Sequence, residues 1–455
     1  MISAIDDPEI LAGYNADALG YRGSPAGLFR PRDARDVQEI VRWCHEHRHP
    51  LTPTALRSST TGSCVCHEGY LISTEHLQHI VDLQPERRRV IVEPGLNLGD
   101  LKRELQKHGL FLPPDPTSEN ECTVGGAVAC NASGARSLKY GAMRRWVRRL
   151  VVVLPDGEPM EFLTRDVDKN TTGYYGFQDP IQFFIGSEGT LGIITEIELE
   201  CLDLPPDYIA LYAFFPDEAA ALQAAVAIRD RQPAVRCLEY FDDACLELLR
   251  RDGGVALPRP TGGMLFCEQE VPAGEPDEIL LEWLDLLEEL GALVDDTMVG
   301  DTRARREEMK DLRHTIPATL NERGVQYRAQ GGGKLSTDWA VPYRLIPEVI
   351  PHVRRFIRRE KLAAVYCYGH IGNGHPHFNL LSADAAAARR AETVIHEMCR
   401  YIGGRGGTIT AEHGVGKVKR PFLKYMFPPR VMHWMRSFKQ AVDPHGIMAP
   451  GNIFD

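Results

Sequence analysis

The sequence predicts an α+β protein that folds into two lobes. Its 455 residues exceed what one core usually contains, because domains generally hold roughly 100–200 residues. The first half alternates short helix-like and strand-like segments with many glycine turns. The second half has longer amphipathic segments, which indicate a sheet covered by helices. We place the boundary between the two lobes near residue 205.

Local patterns predict individual elements in each half. Apolar residues recur at helical spacing from Val37 to Cys44, and Asn97 is placed to cap a helix that Gly109 ends. The segment LVVVLPDGEPMEFL predicts a hairpin, because Asp156 and Gly157 form a typical tight turn between two strand-like runs. Helices of the second half are expected at residues 217–231, 278–291 and 385–402.

Composition disfavours several classes of protein. The net charge of −11 disfavours a nucleic-acid partner, because phosphate binding requires a basic surface. The eleven cysteines include no CxxC pair, so we expect reduced thiols and no iron–sulfur cubane held by this chain. No signal peptide is visible, and no apolar stretch approaches the ~20 residues of a membrane span. We therefore expect a cytoplasmic protein, or one at most peripheral to a membrane.

Three glycine-rich stretches have the wrong spacing for nucleotide-binding motifs. Residues 331–336, GGGKLS, lack both the earlier glycine and the Ser or Thr directly after lysine that a P-loop requires. The stretches GHIGNG and HGVGK do not follow the GxGxxG spacing that opens a dinucleotide-binding helix. Neither a P-loop nor a Rossmann domain is supported by the sequence.

Two other segments concentrate small residues that leave the main chain accessible. Residues 113–141 combine three prolines with a run of glycine, alanine and serine, and residues 183–199 place glycine turns on both sides of Glu188. Such a backbone can present N–H groups to a diphosphate or to a flat aromatic ring. Tight turns between closely packed backbones explain each segment about as well, so the sequence leaves both interpretations open.

The second half contains a group of residues suited to binding a divalent ion. His370, His375 and His377 lie in a glycine-flanked turn that leads into a strand, and Glu412 and His413 follow in the segment GTITAEHGVGK. Imidazole and carboxylate groups suit zinc or another divalent metal, and a catalytic zinc commonly takes three protein ligands. Buried structural histidines are the alternative interpretation.

Eight short motifs follow one another along the chain: PDPTS, TVGG, NASG, KYG, GSEGTLG, GHIGNGHPH, EHGVG and DPHGIMAPGNIF. In this order they resemble the FAD-linked oxidases of the vanillyl-alcohol-oxidase superfamily, over about residues 27–454. Within that family the likeness is to the branch of D-lactate dehydrogenase, D-2-hydroxyglutarate dehydrogenase and the glycolate oxidase D subunit. The resemblance implies a PCMH-type FAD-binding domain in residues 1–205 and a cap domain, with an antiparallel sheet covered by helices, in residues 206–420. Residues 421–455 would return to the FAD-binding domain.

The resemblance also implies which residues bind FAD, which is expected to be non-covalent because no attachment histidine is evident. In the first flavin loop, serines and threonines stand where the family has glycines. The implied cofactor-binding residues are Arg57, Ser58, Ser59, Thr60, Thr61, Gly62, Pro114, Asp115, Pro116, Thr117, Ser118, Gly125, Gly126, Asn131, Ala132, Gly134, Tyr140, Glu188, Gly189, Ile193 and Asn452.

The family's catalytic positions can be carried over in the same way. The resemblance implies His370, His377 and Glu412 as ligands of a divalent metal, with zinc as first choice, and His413 as the base. This chain departs from the motif where Asn373 replaces an aspartate and His375 an asparagine, which leaves the role of His375 open. The implied substrate-binding cations are Arg313, as a carboxylate clamp, and Lys334, as a weaker match.

The expected reaction is oxidation of a small 2-hydroxy acid, with D configuration favoured, to the 2-oxo acid by hydride transfer to flavin N5. Electrons would then pass to a quinone, an electron carrier or a partner subunit rather than to oxygen. A homodimer and peripheral contact with a membrane are further expectations. Two alternatives stay open: an alkylglycerone-phosphate synthase, for which Tyr366 or Tyr368 would be the acid, and a non-catalytic flavin subunit of a larger dehydrogenase.

Overall fold

The computed structural model describes residues 3–165, 167–272 and 276–454. Within them the chain forms two compact units. Unit 1 comprises Met1–Gly134, Gly141–Leu204 and Glu412–Asp455, and unit 2 comprises Ala135–Tyr140 and Pro205–Ala411. The sequence-based limits were residues 205 and 420, so the chain returns to unit 1 earlier than expected. The short segment 135–140 is an addition to unit 2 that the sequence did not indicate.

Strands and α-helices are numbered in the order in which they occur along the chain. The strands are β1 Gly27–Phe29, β2 Leu51–Thr54, β3 Tyr70–Ser73, β4 Ile80–Gln84, β5 Arg89–Val92, β6 Leu110–Phe111, β7 Val147–Val153, β8 Pro159–Leu163, β9 Ile193–Glu200, β10 Leu202–Asp203, β11 Asp207–Phe215, β12 Val235–Asp242, β13 Gly263–Val271, β14 Met298–Gly300, β15 Gly333–Ser336, β16 Ala364–Gly369 and β17 His377–Ser382. The α-helices are α1 Pro8–Ala12, α2 Ala34–His47, α3 Leu98–Lys107, α4 Val124–Ala129, α5 Ser137–Tyr140, α6 Tyr175–Gln178, α7 Glu218–Arg231, α8 Asp243–Asp252, α9 Pro276–Glu289, α10 Arg303–Tyr327, α11 Ile346–Arg359, α12 Ala385–Gly403 and α13 Pro429–Val442.

Unit 1 is built on a five-stranded antiparallel sheet of order β4-β5-β9-β7-β8 and a three-stranded parallel sheet of order β1-β3-β2. The predicted face of α2, from Val37 to Cys44, is buried in a core that also contains Ile447 and Met448. Asn97 caps α3 as predicted, since its side chain accepts a hydrogen bond from the Asp100 N–H. The predicted hairpin is the β7–β8 pair.

Unit 2 is a seven-stranded antiparallel sheet of order β14-β11-β13-β12-β16-β17-β15. Helices α7, α9, α11 and α12 bury one set of apolar side chains with the sheet, and α8 and α10 bury another. Aspartate side chains cap α7, α8 and α12, and thereby satisfy N–H groups that a helix start leaves unpaired. The expected α+β class, with an antiparallel sheet covered by helices, is confirmed.

Among the described residues, no helix combines the length and the apolar character that a transmembrane helix requires.

Candidate active site

Three buried histidines come together in unit 2 where β16 ends and β17 begins. His370 directly follows β16, His377 opens β17, and His375 lies in the connecting turn. One ring nitrogen from each histidine lies within 4.8 Å of a ring nitrogen of the other two. The turn requires glycine at Gly374, because its φ is +69° and a Cβ there would overlap the carbonyl of Val341. The sequence thus folds so that three imidazoles share one small volume.

In His370 and His377, the ring nitrogen Nδ1 is fixed by a hydrogen bond within unit 2. Nδ1 of His370 lies 2.5 Å from Oε1 of Glu239, and Nδ1 of His377 lies 3.0 Å from the carbonyl oxygen of Thr337. With Nδ1 as the donor in each ring, Nε2 is the atom that would bind a metal. This pattern, in which a carboxylate or carbonyl orients an imidazole from behind, is typical of metal-ligating histidines. The residues present therefore fit a divalent cation.

His375 is held differently from the other two histidines. Its Nε2 lies 3.1 Å from Oδ1 of Asp338, and both side chains are buried. Asp338 follows Thr337, which is fixed to β17 by hydrogen bonds with the main chain of Phe378 in both directions. The segment 337–338 thus contacts two of the three rings.

Glu239 is almost fully buried, with 1% of its surface exposed, and it binds Arg313 as well as His370. Both carboxylate oxygens take part, since Nε of Arg313 donates to Oε2 and Nη2 donates to Oε1 at 3.0 Å. Burial alone would raise the pKa of the Glu239 carboxyl, but the charges of Arg313 and His370 hold that pKa well below its usual range. Arg313, which the sequence suggested as a substrate clamp, is therefore part of a buried ion pair in unit 2.

Lys334 lies on β15, opposite Leu381 of β17, and its side chain is half-buried. Burial lowers the pKa of its ammonium group to about 8. The Cβ of Lys334 packs against α10 at Gly324, where a residue larger than glycine would collide with Lys334.

In unit 1, the loop expected to bind the flavin diphosphate presents main-chain donors. The N–H groups of Ser58, Ser59 and Thr60 donate no hydrogen bond to any described residue, and all three residues are half-buried. The loop itself is braced, because the Gly62 N–H donates to Oδ2 of Asp17 at 2.9 Å and the Thr61 N–H donates to Oγ of Ser59. Consecutive unpaired N–H groups in a braced loop fit an anionic phosphate. The guanidinium of the neighbouring Arg57 lies 4.3 Å from the ring centroid of Tyr14.

The second segment predicted to bind the flavin lies in residues 113–141. It is tightly packed in the structure, and such packing was the alternative interpretation of its small residues. A Cβ on Gly125 would collide with Pro94, and a Cβ on Gly134 would collide with the carbonyl of Asp115. Asn131 has a φ of 51° and its side chain accepts a hydrogen bond from the Arg144 N–H. The implied neighbours Pro114, Pro116, Thr117, Ser118, Gly126 and Ala132 lie in the same folded region of unit 1, whereas Tyr140 is buried in unit 2.

Glu188 and Asn452 hold the loop that carries His413. The buried Glu188 carboxylate accepts hydrogen bonds from the N–H groups of Val415, at 2.6 Å, and Gly416, at 2.7 Å. Asn452 donates to the carbonyls of Ser63 and Glu188, and its side-chain oxygen accepts from Nζ of Lys417 at 2.6 Å. The sequence suggested both residues as flavin contacts. In the structure their side chains join separate loops of unit 1.

The remaining predicted residues lie around the same loops. Gly189 has a φ of +75° and packs on Pro53, and Ile193 is buried at the start of β9. Glu412 and His413 belong to unit 1, where Oε1 of Glu412 accepts a hydrogen bond from Ser133 at 3.2 Å. The preceding residue, Ala411, belongs to unit 2 and donates its N–H to the carbonyl of Asp338 at 2.9 Å.

Comparison with known proteins identifies the family. Residues 204–453 match the family of FAD linked oxidases, C-terminal domain, and residues 25–162 match the family described as FAD binding domain. The chain belongs to the FAD-linked oxidases. It is therefore an FAD-dependent oxidoreductase, as the order of its motifs indicated.

Two curated relatives of this FAD-linked oxidase span nearly all of it. It is 28% identical over 459 residues to D-2-hydroxyglutarate dehydrogenase of Stutzerimonas stutzeri (strain A1501), covering 99% of this chain and 96% of the relative. It is 29% identical over 451 residues to glycolate oxidase subunit GlcD of Bacillus subtilis (strain 168), covering 97% and 92%. Among solved structures it is similar to p-cresol methylhydroxylase with substrate bound, with a TM-score of 0.73, 16% identity and coverage of 99% and 94%. The PCMH-type fold is thereby confirmed.

Sequence reasoning missed three residues of this FAD-linked oxidase that contact the histidine cluster: Glu239, Thr337 and Asp338. Glu239 stands in the strand sequence VRCLEYFD, every residue of which is buried in β12. A buried carboxylate requires a cationic partner. The glutamate in this strand was therefore the signal from which sequence reasoning could have inferred a buried ion pair. Thr337 acts through its carbonyl, for which residue type gives no signal.

Proposed function

We propose that this FAD-linked oxidase oxidises a small D-2-hydroxy acid to the corresponding 2-oxo acid. The Cα–H and O–H bonds of the substrate break and a C=O bond forms, so a hydride and a proton leave the substrate. Bound FAD supplies the acceptor of that hydride. The names of the two relatives, D-2-hydroxyglutarate dehydrogenase and glycolate oxidase subunit, support this substrate class.

The observation that carries the proposal is the orientation of His370 and His377 by Glu239 and Thr337. We assign His370 and His377 as ligands of a divalent cation, with zinc as first choice and His375 as a third candidate ligand. Glu412 is the proposed carboxylate ligand, because the Ala411 N–H is bonded to Asp338, whose side chain contacts His375. A cation held there would act as a Lewis acid and lower the pKa of the substrate hydroxyl.

His413 is the proposed base for the hydroxyl proton. Its loop is fixed by Glu188, and the Thr61 hydroxyl reaches the His413 carbonyl at 3.5 Å. A neutral imidazole can accept a proton near physiological pH, which suits it to this role. These contacts hold the main chain that carries the proposed base.

Arg313 and Lys334 are the proposed cations for the substrate carboxylate. Both lie on elements that pack around β17, since α10 contacts β15 and β17, and β15 pairs with β17. Nε and Nη2 of Arg313 bind Glu239, so a substrate carboxylate would meet the Nη1 side of the guanidinium, whereas the ammonium group of Lys334 acts as a point charge. Their side chains would thereby orient the substrate carbon that loses hydride.

An anaerobic titration of the FAD-loaded protein tests the proposal. We expect D-2-hydroxyglutarate, D-lactate or glycolate to bleach the visible flavin band, and the L enantiomers to do so at least about tenfold more slowly. Bleaching by none of these acids would refute the proposal. It would favour either an alkylglycerone-phosphate synthase, which uses FAD without net oxidation, or a non-catalytic flavin subunit.

The acceptor that reoxidises the flavin is proposed to be a quinone, an electron carrier or a partner subunit. Support comes from the name of the Bacillus subtilis relative, which is a subunit of glycolate oxidase. Stopped-flow reoxidation with a soluble quinone analogue and with oxygen tests this point. Faster reoxidation by oxygen would contradict it.

A further inference from the structure

Helix α13 of unit 1 presents an exposed row of aromatic and basic side chains. None of its side chains is buried, and Trp434 is 57% exposed. Arg430, Trp434 and Phe438 are spaced four residues apart and so lie along one face of the helix. The Arg430 guanidinium lies 5.4 Å from the ring centroid of Trp434, which keeps the charge beside the ring. A helix that contributes so little to the core requires another reason for its apolar face.

The aromatic character continues onto a neighbouring segment of the same unit. Phe438 contacts Phe183 at 4.6 Å and Phe177 at 6.2 Å between ring centroids. Phe177 is 60% exposed and Tyr174, at the start of α6, is 85% exposed. We call Tyr174, Phe177, Trp434 and Phe438 the aromatic patch. Soluble surfaces seldom group such large exposed rings without a binding partner.

The charge along the segment that contains α13 is strongly segregated. Residues 413–442 contain seven Lys and Arg and no Asp or Glu, although the whole chain has a net charge of −11. Lys417, Arg420 and Lys439 bind main-chain carbonyls inside unit 1. The exposed side chains of Lys424, Arg430 and Arg436 lie instead over aromatic rings, and none of these three forms an ion pair with a described carboxylate. Their charge is therefore available to an anionic surface.

We propose that the aromatic patch, with Lys424, Arg430 and Arg436, docks this enzyme onto an anionic lipid bilayer. Aromatic rings are favoured at headgroup depth, and Lys and Arg beside them contact lipid phosphates. The net acidic remainder of the chain is repelled by the same lipids, which orients α13 towards the bilayer. A symmetric contact with a second copy would place these cations against one another, so the charge of the patch disfavours that occupant.

Co-sedimentation of the FAD-loaded full chain with lipid vesicles tests the proposal. We expect binding to vesicles of phosphatidylcholine with phosphatidylglycerol, weaker binding to phosphatidylcholine alone, and loss of the difference at high salt. The variants Trp434→Ala and Arg430→Glu/Arg436→Glu should each weaken binding on the order of tenfold. Leu281→Ala and Arg251→Glu, which change an exposed apolar and an exposed basic residue of unit 2, are the matched controls and should bind normally.

Tryptophan fluorescence gives a second readout at the same position. Trp146, Trp283 and Trp339 are buried and Trp43 is half-buried, so iodide should quench the exposed Trp434 most strongly. Anionic vesicles should protect the chain from this quenching, and Trp434→Phe should abolish the protection while retaining vesicle binding. Failure to bind the anionic vesicles would overturn the proposal, whether or not the patch binds an acidic protein. Equal loss of binding in the unit 2 controls would also overturn it.

Discussion

The carboxylate of Glu239 connects the two functional groups of unit 2, because Oε1 lies 2.5 Å from Nδ1 of His370 and both oxygens accept from Arg313. One buried anion therefore orients a proposed metal ligand and a proposed substrate-binding cation together. Since neither partner is free to move alone, a change at Glu239 is expected to affect metal and substrate binding at once. Glu239 is a positioning residue, as it acts through the groups it holds.

Glu239→Gln should weaken metal binding on the order of tenfold, because a neutral amide orients and polarises His370 less than a carboxylate does. Chelator competition on the purified variant measures this affinity independently of turnover. Glu268→Gln is the matched control, since Glu268 is also a buried carboxylate of this sheet but binds Arg136 and Arg236 instead of a histidine. Unchanged metal affinity in Glu239→Gln would contradict the role assigned to Glu239.

His413→Asn should abolish flavin bleaching by the substrate while FAD stays bound. The substitution removes the proposed base but leaves the main chain of the loop, which Glu188 holds through Val415 and Gly416. Rapid-reaction absorbance under anaerobic conditions measures the reduction, and the flavin-to-protein absorbance ratio measures cofactor content. Bleaching at the normal rate would remove His413 from the base role.

Substrate affinity should fall as the pH rises through about 8, where the buried ammonium group of Lys334 loses its proton. Below that pH the cation is present and attracts the carboxylate, so KM should be constant there and rise above it. Lys334→Arg should keep its charge and move the rise to higher pH, whereas Lys334→Met should give the high KM below pH 8 as well and so remove the step. An identical pH profile in all three proteins would exclude Lys334 from the substrate site.

Glu188→Ala should destabilise unit 1 by about 3 kcal/mol, because it leaves the N–H groups of Val415 and Gly416 without their acceptor. Glu188→Gln retains one acceptor oxygen and should cost less. Thermal unfolding followed by circular dichroism measures the effect. Glu196→Ala, which removes a half-buried ion pair with Arg149, serves as control and should cost about 1 kcal/mol or less. Equal destabilisation by Glu188→Ala and Glu196→Ala would contradict the role assigned to Glu188.

Local signals in the sequence predicted the parts of the fold that depend on near neighbours. The buried face of α2, the Asn97 cap and the β7–β8 hairpin each follow from residues a few positions apart. The placement of segment 135–140 in unit 2 depends on packing against β12, which local patterns do not contain. The antiparallel sheet was expected through family likeness, while its strand order is known only from the structure.

The candidate site was predictable to the extent that residue type reveals chemistry. The histidine cluster stood out because His370, His375 and His377 lie close together in a turn framed by glycines, and Glu412 and His413 form a second such group. The contacts of Glu188 and Asn452 could not be read from sequence, because their partners lie more than 200 residues away in the chain for Glu188 and more than 380 for the Asn452–Ser63 bond. The packing around Gly125 and Gly134 could not be predicted from the sequence either, since only the structure reveals the backbones packed against them.

The dependence of flavin reduction on a bound cation tests the central claim most directly. The FAD-loaded protein is stripped with a chelator, mixed anaerobically with the D-2-hydroxy acid that reduces the native enzyme, and then supplied with zinc or another divalent ion. We predict that bleaching stops in the stripped protein and returns with the cation, and that His370→Ala/His377→Ala does not recover. Full bleaching in protein shown to be free of metal would contradict the account.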